Sequence, residues 1–183
     1  GKTIVIHAGS CAKLPRETAA VYAKDALRYA IERLHENGLY GFDLGIETMG
    51  KVNQFGTLDE VIDMCSVDKT VVPVVDFGHM NAREMGSVFV TSDDYKRVFD
   101  KIAKGVSPEA AHNLHCHFSK IEYTQGGEKR HLTFEDTQFG PQYEPLMQAV
   151  RELGVAPTFI CESDGTQAED ALSMKKYFAS IGG

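Results

Sequence analysis

The chain has 183 residues, 43% of them hydrophobic, and a formal net charge of −7. That length holds one sizeable core and argues for a single domain spanning 1–183. The acidic balance excludes a generally basic, phosphate-coating surface, and no apolar run approaches the roughly 18 residues of a membrane span.

In chain order, strand and helix patterns alternate with little interruption. TIVIHAG (3–9) reads as a strand. A helix follows, with Pro15 at its start and Gly38 at its stop. FDLGIET (42–48) is a second strand. TLDEVIDMCS is a short helix with Thr57 as N-cap and Glu60 completing a capping box. TVVPVVDFGH (70–79) is a third strand, and SDDYKRVFDKIAKG a helix capped by Ser92 or Thr91. HNLHCHFSK (112–120) is the fourth strand. The polar stretch 121–140 is the least regular segment. PQYEPLMQAVRELG is a helix, APTFICES (156–163) the fifth strand, and TQAEDALSMKKYFASIG the closing helix. Gly1-Lys2 leads into the first strand without a signal-peptide pattern. Cys11, Cys65, Cys116 and Cys161 are scattered, with no C-x-x-C pair, and read as reduced thiols. The expected setting is cytoplasmic.

Five strand–helix units predict a parallel α/β sheet, because each crossover is helical. The strands are nearly continuous runs of Val and Ile, as expected when both faces are covered. Two architectures fit: an open doubly wound sheet, and most of a (βα)8 barrel. A complete barrel takes about 250 residues.

Each strand finishes in a metal-type ligand. His7 ends IVIH, Glu47 ends LGIE, Asp76 ends PVVD, His115 and His117 lie in LHCH, and Glu162 ends FICE. The carboxyl ends of parallel strands gather on one rim, where active sites form. Side chains alternate along a strand, so His115 and His117 share a face and Cys116 points the other way. Inward-pointing faces would bring His7, Glu47, Asp76, His115 and Glu162 around one axis. Taken singly, each has an ordinary explanation as a strand-end cap or a loop residue. Taken as a series, they point to a metal site. Three carboxylates in a low-dielectric mouth repel one another unless a cation joins them. Mixed imidazole and carboxylate ligation suits zinc, manganese, iron or cobalt better than calcium or magnesium. His35, late in a helix, reads as a C-terminal cap, and His112 as exposed. No glycine-rich nucleotide loop follows any strand.

GIETMGKVNQFG, VPVVDFGHMNA, LHCHFSK and EKRHLTFED, in this order, resemble the endonuclease IV family of the xylose-isomerase-like TIM-barrel superfamily. The resemblance runs from IVIHAGS to ICESDGT. It implies strands four to eight of the barrel, without the first three βα units. It also implies up to three zinc ions and cleavage of abasic-site DNA. On the resemblance, Glu47, Asp76, His115 and Glu162 form one metal position, His7 with Glu47 a second, and His79 with His131 a third. The family's third position also takes an aspartate two residues before its last histidine, where this chain has Lys129. Glu128, displaced by one residue, substitutes only if the loop shifts. The family's His-Leu-Asn-Asp run is here His115-Cys116-His117-Phe118. Motif alignment favours His115 as the ligand, and His117 either adds a ligand or reads substrate.

The implied chemistry is in-line attack on a phosphodiester by water activated at metal ions. Glu47 and Glu162 are the expected catalytic carboxylates, and Lys120, Lys129, Arg130 and His117 the expected substrate contacts. The rival within the superfamily is a sugar isomerase or epimerase. It needs one divalent ion, manganese or cobalt, and Glu47 and Glu162 flanking the reacting carbon. A third reading is an inactive barrel fragment whose open edges recruit a second copy, as a homodimer, or the remaining barrel units.

Overall fold

The computed structural model describes residues 1–182. The elements run β1 (Thr3–Ile6), α1 (Arg16–Glu36), β2 (Asp43–Glu47), α2 (Leu58–Met64), β3 (Val71–Asp76), α3 (Phe77–Arg83) and α4 (Ser92–Gly105). They continue with α5 (Pro108–His112), β4 (His115–Phe118), β5 (Lys120–Thr124), β6 (Gly127–Leu132), α6 (Tyr143–Leu153), β7 (Thr158–Cys161) and α7 (Gln167–Ser180). Five strands form one parallel sheet in the order β1-β2-β3-β4-β7. A doubly wound sheet reverses its strand order at a switch point. Here the spatial order follows the chain without reversal, which is the progression of a curled, partial TIM barrel. β1 and β7 each keep an open edge, and Ile4 and Ile160 on them are exposed.

Two apolar clusters separate the sheet from its helices. One packs α1 and α2 outside β2 and β3, around Leu27, Ile31, Ile46 and Val61. The other packs α4, α5, α6 and α7 against Val75, Cys116, Phe118 and Cys161. Alternation therefore turns Val75 and Cys116 outward and leaves Asp76, His115 and His117 on the inner face. Gly45 also faces inward: a Cβ there would lie 2.5 Å from the Val74 side chain.

Capping follows the sequence at α2, where Thr57 and Glu60 exchange hydrogen bonds in a full capping box. It also does so at α4, where the Asp94 carboxylate accepts from the Thr91 and Val90 amides. Three expectations change. The third strand stops at Asp76, whose carboxylate accepts from the His79 amide and caps α3, so Phe77, Gly78 and His79 are helical. The fourth strand begins only at His115. His112 closes the short helix α5, which Ser107 caps and Pro108 opens. The polar stretch after it opens as an antiparallel hairpin, β5 with β6, and only 133–140 is irregular chain. His35 lies in the last turn of α1 as expected; it stacks on Tyr40, and its carbonyl accepts from the Tyr40 hydroxyl.

Candidate metal centre

Glu47 and Asp76 are the last residues of β2 and β3, His117 lies near the end of β4, and Glu162 follows β7 directly. Each offers one ligand atom, and these four atoms lie within 4.8 Å of one another. Glu47 is held from both sides. Its Oε1 accepts from His117 Nδ1 at 2.8 Å, and its Oε2 is 3.0 Å from His7 Nε2. His117 Nδ1 also lies 3.3 Å from Glu162 Oε1. The Asp76 backbone is fixed by Thr48, whose hydroxyl accepts from the Asp76 amide at 2.9 Å and lies 3.2 Å from its carbonyl. Asp76 is 0% exposed. Its Oδ1 is bound to the His79 amide, and its Oδ2 has no hydrogen-bond partner.

Strand register decides which histidine joins this group. Asp76 pairs with His117 across the sheet, and Val74 pairs with His115. His117 therefore sits in the layer of Asp76, and His115 one layer deeper. The structure brings His117, and not His115, together with Glu47, Asp76 and Glu162. His115 touches the group only through its Nε2, 3.3 Å from His117 Nε2. Motif alignment favoured His115, and alternation allowed both; the register of β3 and β4 sets His117 level with Asp76.

A second group comprises His79, Glu128 and His131, again with one ligand atom each within 4.8 Å. His79 Nδ1 lies 3.0 Å from the Thr48 carbonyl and His131 Nδ1 lies 2.8 Å from Ser119 Oγ. Each ring is thus oriented through Nδ1, leaving Nε2 to face Glu128 at 3.5 Å and 3.9 Å. Orientation through the far nitrogen is how proteins fix ligating histidines. Gly50 makes the room: a Cβ there would sit 2.6 Å from Glu128 Cβ.

Glu128 arrives by a β-bulge. On β6, Arg130 pairs with Glu122 and Glu128 pairs with Tyr123, so Lys129 is the extra residue. One inserted residue restores Glu128 and His131 to the same face. Lys129 and Arg130 turn outward and both pair with Glu122. Lys120 is buried, and its Nζ donates to the carbonyls of Phe134 and Asp136. These three expected substrate contacts are thus engaged away from both groups. Thr48, Ser119 and Gly50 were not singled out from the sequence; a lone hydroxyl or glycine carries no spacing signal.

Burial opposes charge throughout the site. Against it, the hydrogen bond and the charge of His117 hold the Glu47 carboxyl below its usual range. Burial likewise opposes the charged form of His117, but Glu47 above all pushes its pKa up. His79 shifts up against burial because Asp76, Glu128 and Glu47 surround it. Glu162 is pushed up by burial and by the nearby Asp76 and Glu47 carboxylates. His115 is pushed down by burial and by His117. Within this cluster the Glu47 carboxylate and the His117 imidazole compensate one another's charge. A divalent cation would supply further positive charge, and the orphaned Asp76 Oδ2 is a ready ligand atom for it. The donor set, imidazole plus carboxylate, fits a transition-series ion such as zinc.

Residues 1–177 match the family model described as xylose isomerase-like TIM barrel. The chain belongs to the xylose isomerase-like TIM-barrel family. An uncharacterized protein of Methanocaldococcus jannaschii is 32% identical over 177 residues, covering 97% of this chain and 63% of the relative. The chain thus spans less than two thirds of that relative's length. Both ligand groups stand at the carboxyl ends of the strands, where the xylose isomerase-like barrel, like other TIM barrels, places its chemistry. Among the described residues, no helix is long and apolar enough to cross a membrane.

Proposed function

We propose that this chain carries the catalytic face of a metal-dependent phosphodiesterase of the endonuclease IV type, acting on DNA at abasic sites. The observation that carries the reading is the second ligand group, His79, Glu128 and His131, beside the first. A sugar isomerase or epimerase needs one divalent ion between two glutamates. A phosphodiesterase uses more than one ion to balance charge on both the attacking and the leaving oxygen.

Glu47, Asp76, His117 and Glu162 would hold one ion, and His79, Glu128 and His131 another, with zinc favoured over manganese or cobalt. Bound ions would lower the pKa of an attacking water and stabilise charge on the phosphate oxygens. Glu162, with 35% of its side chain exposed, is open to the substrate and would accept the water's proton. His7, with 58% of its side chain exposed, is placed to donate to a phosphate oxygen while Glu47 orients it. The isomerase reading keeps one supporting feature: Glu47 and Glu162 lie close together, both approaching His117 Nδ1, at 2.8 Å and 3.3 Å. The open edges at β1 and β7 fit covering by further βα units or by a second copy of the chain.

Incubating the zinc-loaded protein with a duplex containing one abasic site tests the reading. Metal-dependent nicking at that site, absent on an intact duplex, is expected. No nicking, with manganese- or cobalt-dependent aldose–ketose conversion instead, would favour the isomerase.

A further inference from the structure

Between β2 and α2 runs the stretch TMGKVNQFG, irregular backbone whose carbonyls need donors from outside the sheet. Arg83, in the last turn of α3, supplies them. Its Nη1 donates to the carbonyls of Met49 at 3.2 Å, Lys51 at 2.8 Å and Gln54 at 3.3 Å, and its Nη2 to that of Val52 at 2.8 Å. From α1, Arg16 donates to the same Gln54 carbonyl at 3.0 Å and is itself held by Glu60. One planar guanidinium reaches four carbonyls at once, a fork that a lysine ammonium does not reproduce.

The second ligand group rests on this loop. The Glu128 amide donates to the Gly50 carbonyl at 3.0 Å, and the Val52 amide to the Gly126 carbonyl at 3.1 Å. A Cβ added to Gly50 would lie 2.6 Å from Glu128 Cβ and 3.1 Å from His79 Cδ2, so a small shift of the loop moves Glu128 against His79. His79 and Arg83 stand four residues apart on α3, and one helix face therefore carries both the ligand and the clamp. We propose that Arg83 is the positioning residue for Glu128: by gathering the carbonyls of 49–54 it fixes Gly50, and through Gly50 it holds Glu128 opposite His79. The mechanism stands on these backbone bonds; its consequence for an ion rests on the reading of His79, Glu128 and His131 as a metal site.

The test is amide hydrogen exchange of the metal-free chain, then titration with cobalt(II), in Arg83→Gln and Arg83→Lys. In Arg83→Gln, exchange at the Glu128 amide should speed up about five-fold or more. The His79 amide, bound to Asp76 within the cap of α3, should exchange as in wild type. The cobalt absorption lost in Glu128→Ala marks the second group's ion. That ion should bind about ten-fold more weakly in Arg83→Gln, with the first group's ion unchanged and Arg83→Lys falling between. Unchanged exchange at Glu128 overturns the clamp whether or not metal binds. Equal speeding at Glu128 and His79, or equal weakening of both ions, also overturns it, because Arg83 would then support the fold at large. Faster exchange at Glu128 alone, in a protein that takes no second ion, keeps the clamp and refutes the metal reading. If Arg83→Gln does not fold, Arg83→Lys decides by the same comparison.

Discussion

Glu128 and His131 stand three residues apart on β6, yet both side chains face His79. A regular strand would put them on opposite faces. The bulge at Lys129 removes that conflict, and Lys129 and Arg130 share Glu122 on the outer side. The bulge thus lets a Glu-x-x-His spacing present its carboxylate and its imidazole on one face.

It follows that Glu128→Ala should remove one bound ion per chain, while Lys129→Ala should leave metal content unchanged. Adding Lys129→Asp to Glu128→Ala should fail to restore the ion, because position 129 faces Glu122. Elemental analysis of the purified variants checks this. Recovery of the ion in the double variant would show that the bulge does not hold Glu128 in place.

The two histidines of β4 should separate cleanly. His117→Ala removes a member of the Glu47–Asp76–Glu162 group and should abolish that group's ion. His115→Ala, one layer deeper, should keep it. Calorimetric titration with zinc reads both, and equal losses would contradict the register argument.

Thr48 ties β2 to β3 beneath the site through its hydroxyl bonds to the Asp76 backbone. Thr48→Val keeps the shape and leaves a buried amide unpaired. The expected cost is about 1–3 kcal/mol in the metal-free protein, measured by urea unfolding. An unchanged midpoint would show that the backbone finds another partner.

Asp94 caps α4. Its backbone partners at Thr91 and Val90 hold its carboxyl down to about 2. A depressed pKa contributes stability above the unfolded value of 3.8, and the contribution is lost as pH falls through the folded value. Asp94→Asn should therefore lower stability at pH 6, and the gap to wild type should close between pH 3.8 and about 2. Urea titrations of both proteins across that window test the sign. A gap that widens with acid would contradict it.

Much of this was legible in the chain. Strand ends in His7, Glu47, Asp76 and Glu162 announced the rim, because a buried carboxylate at a strand end needs a partner. Thr57 and Glu60 announced α2. What stayed hidden depended on register or on one-residue geometry. Choosing His117 over His115 requires knowing that Asp76 pairs with His117. Placing Glu128 requires the bulge, which leaves no mark in composition. Helix α5 has five residues, too few to show a period. The β5–β6 hairpin looked irregular because Glu122, Lys129 and Arg130 mask its inward Ile121 and Tyr123.

Metal content per chain, measured on protein purified without chelator, tests the central claim most directly. Two ligand groups predict at least two ions per chain, with one lost in Glu128→Ala and another in His117→Ala. A single ion, insensitive to Glu128→Ala, or none at all would contradict the account.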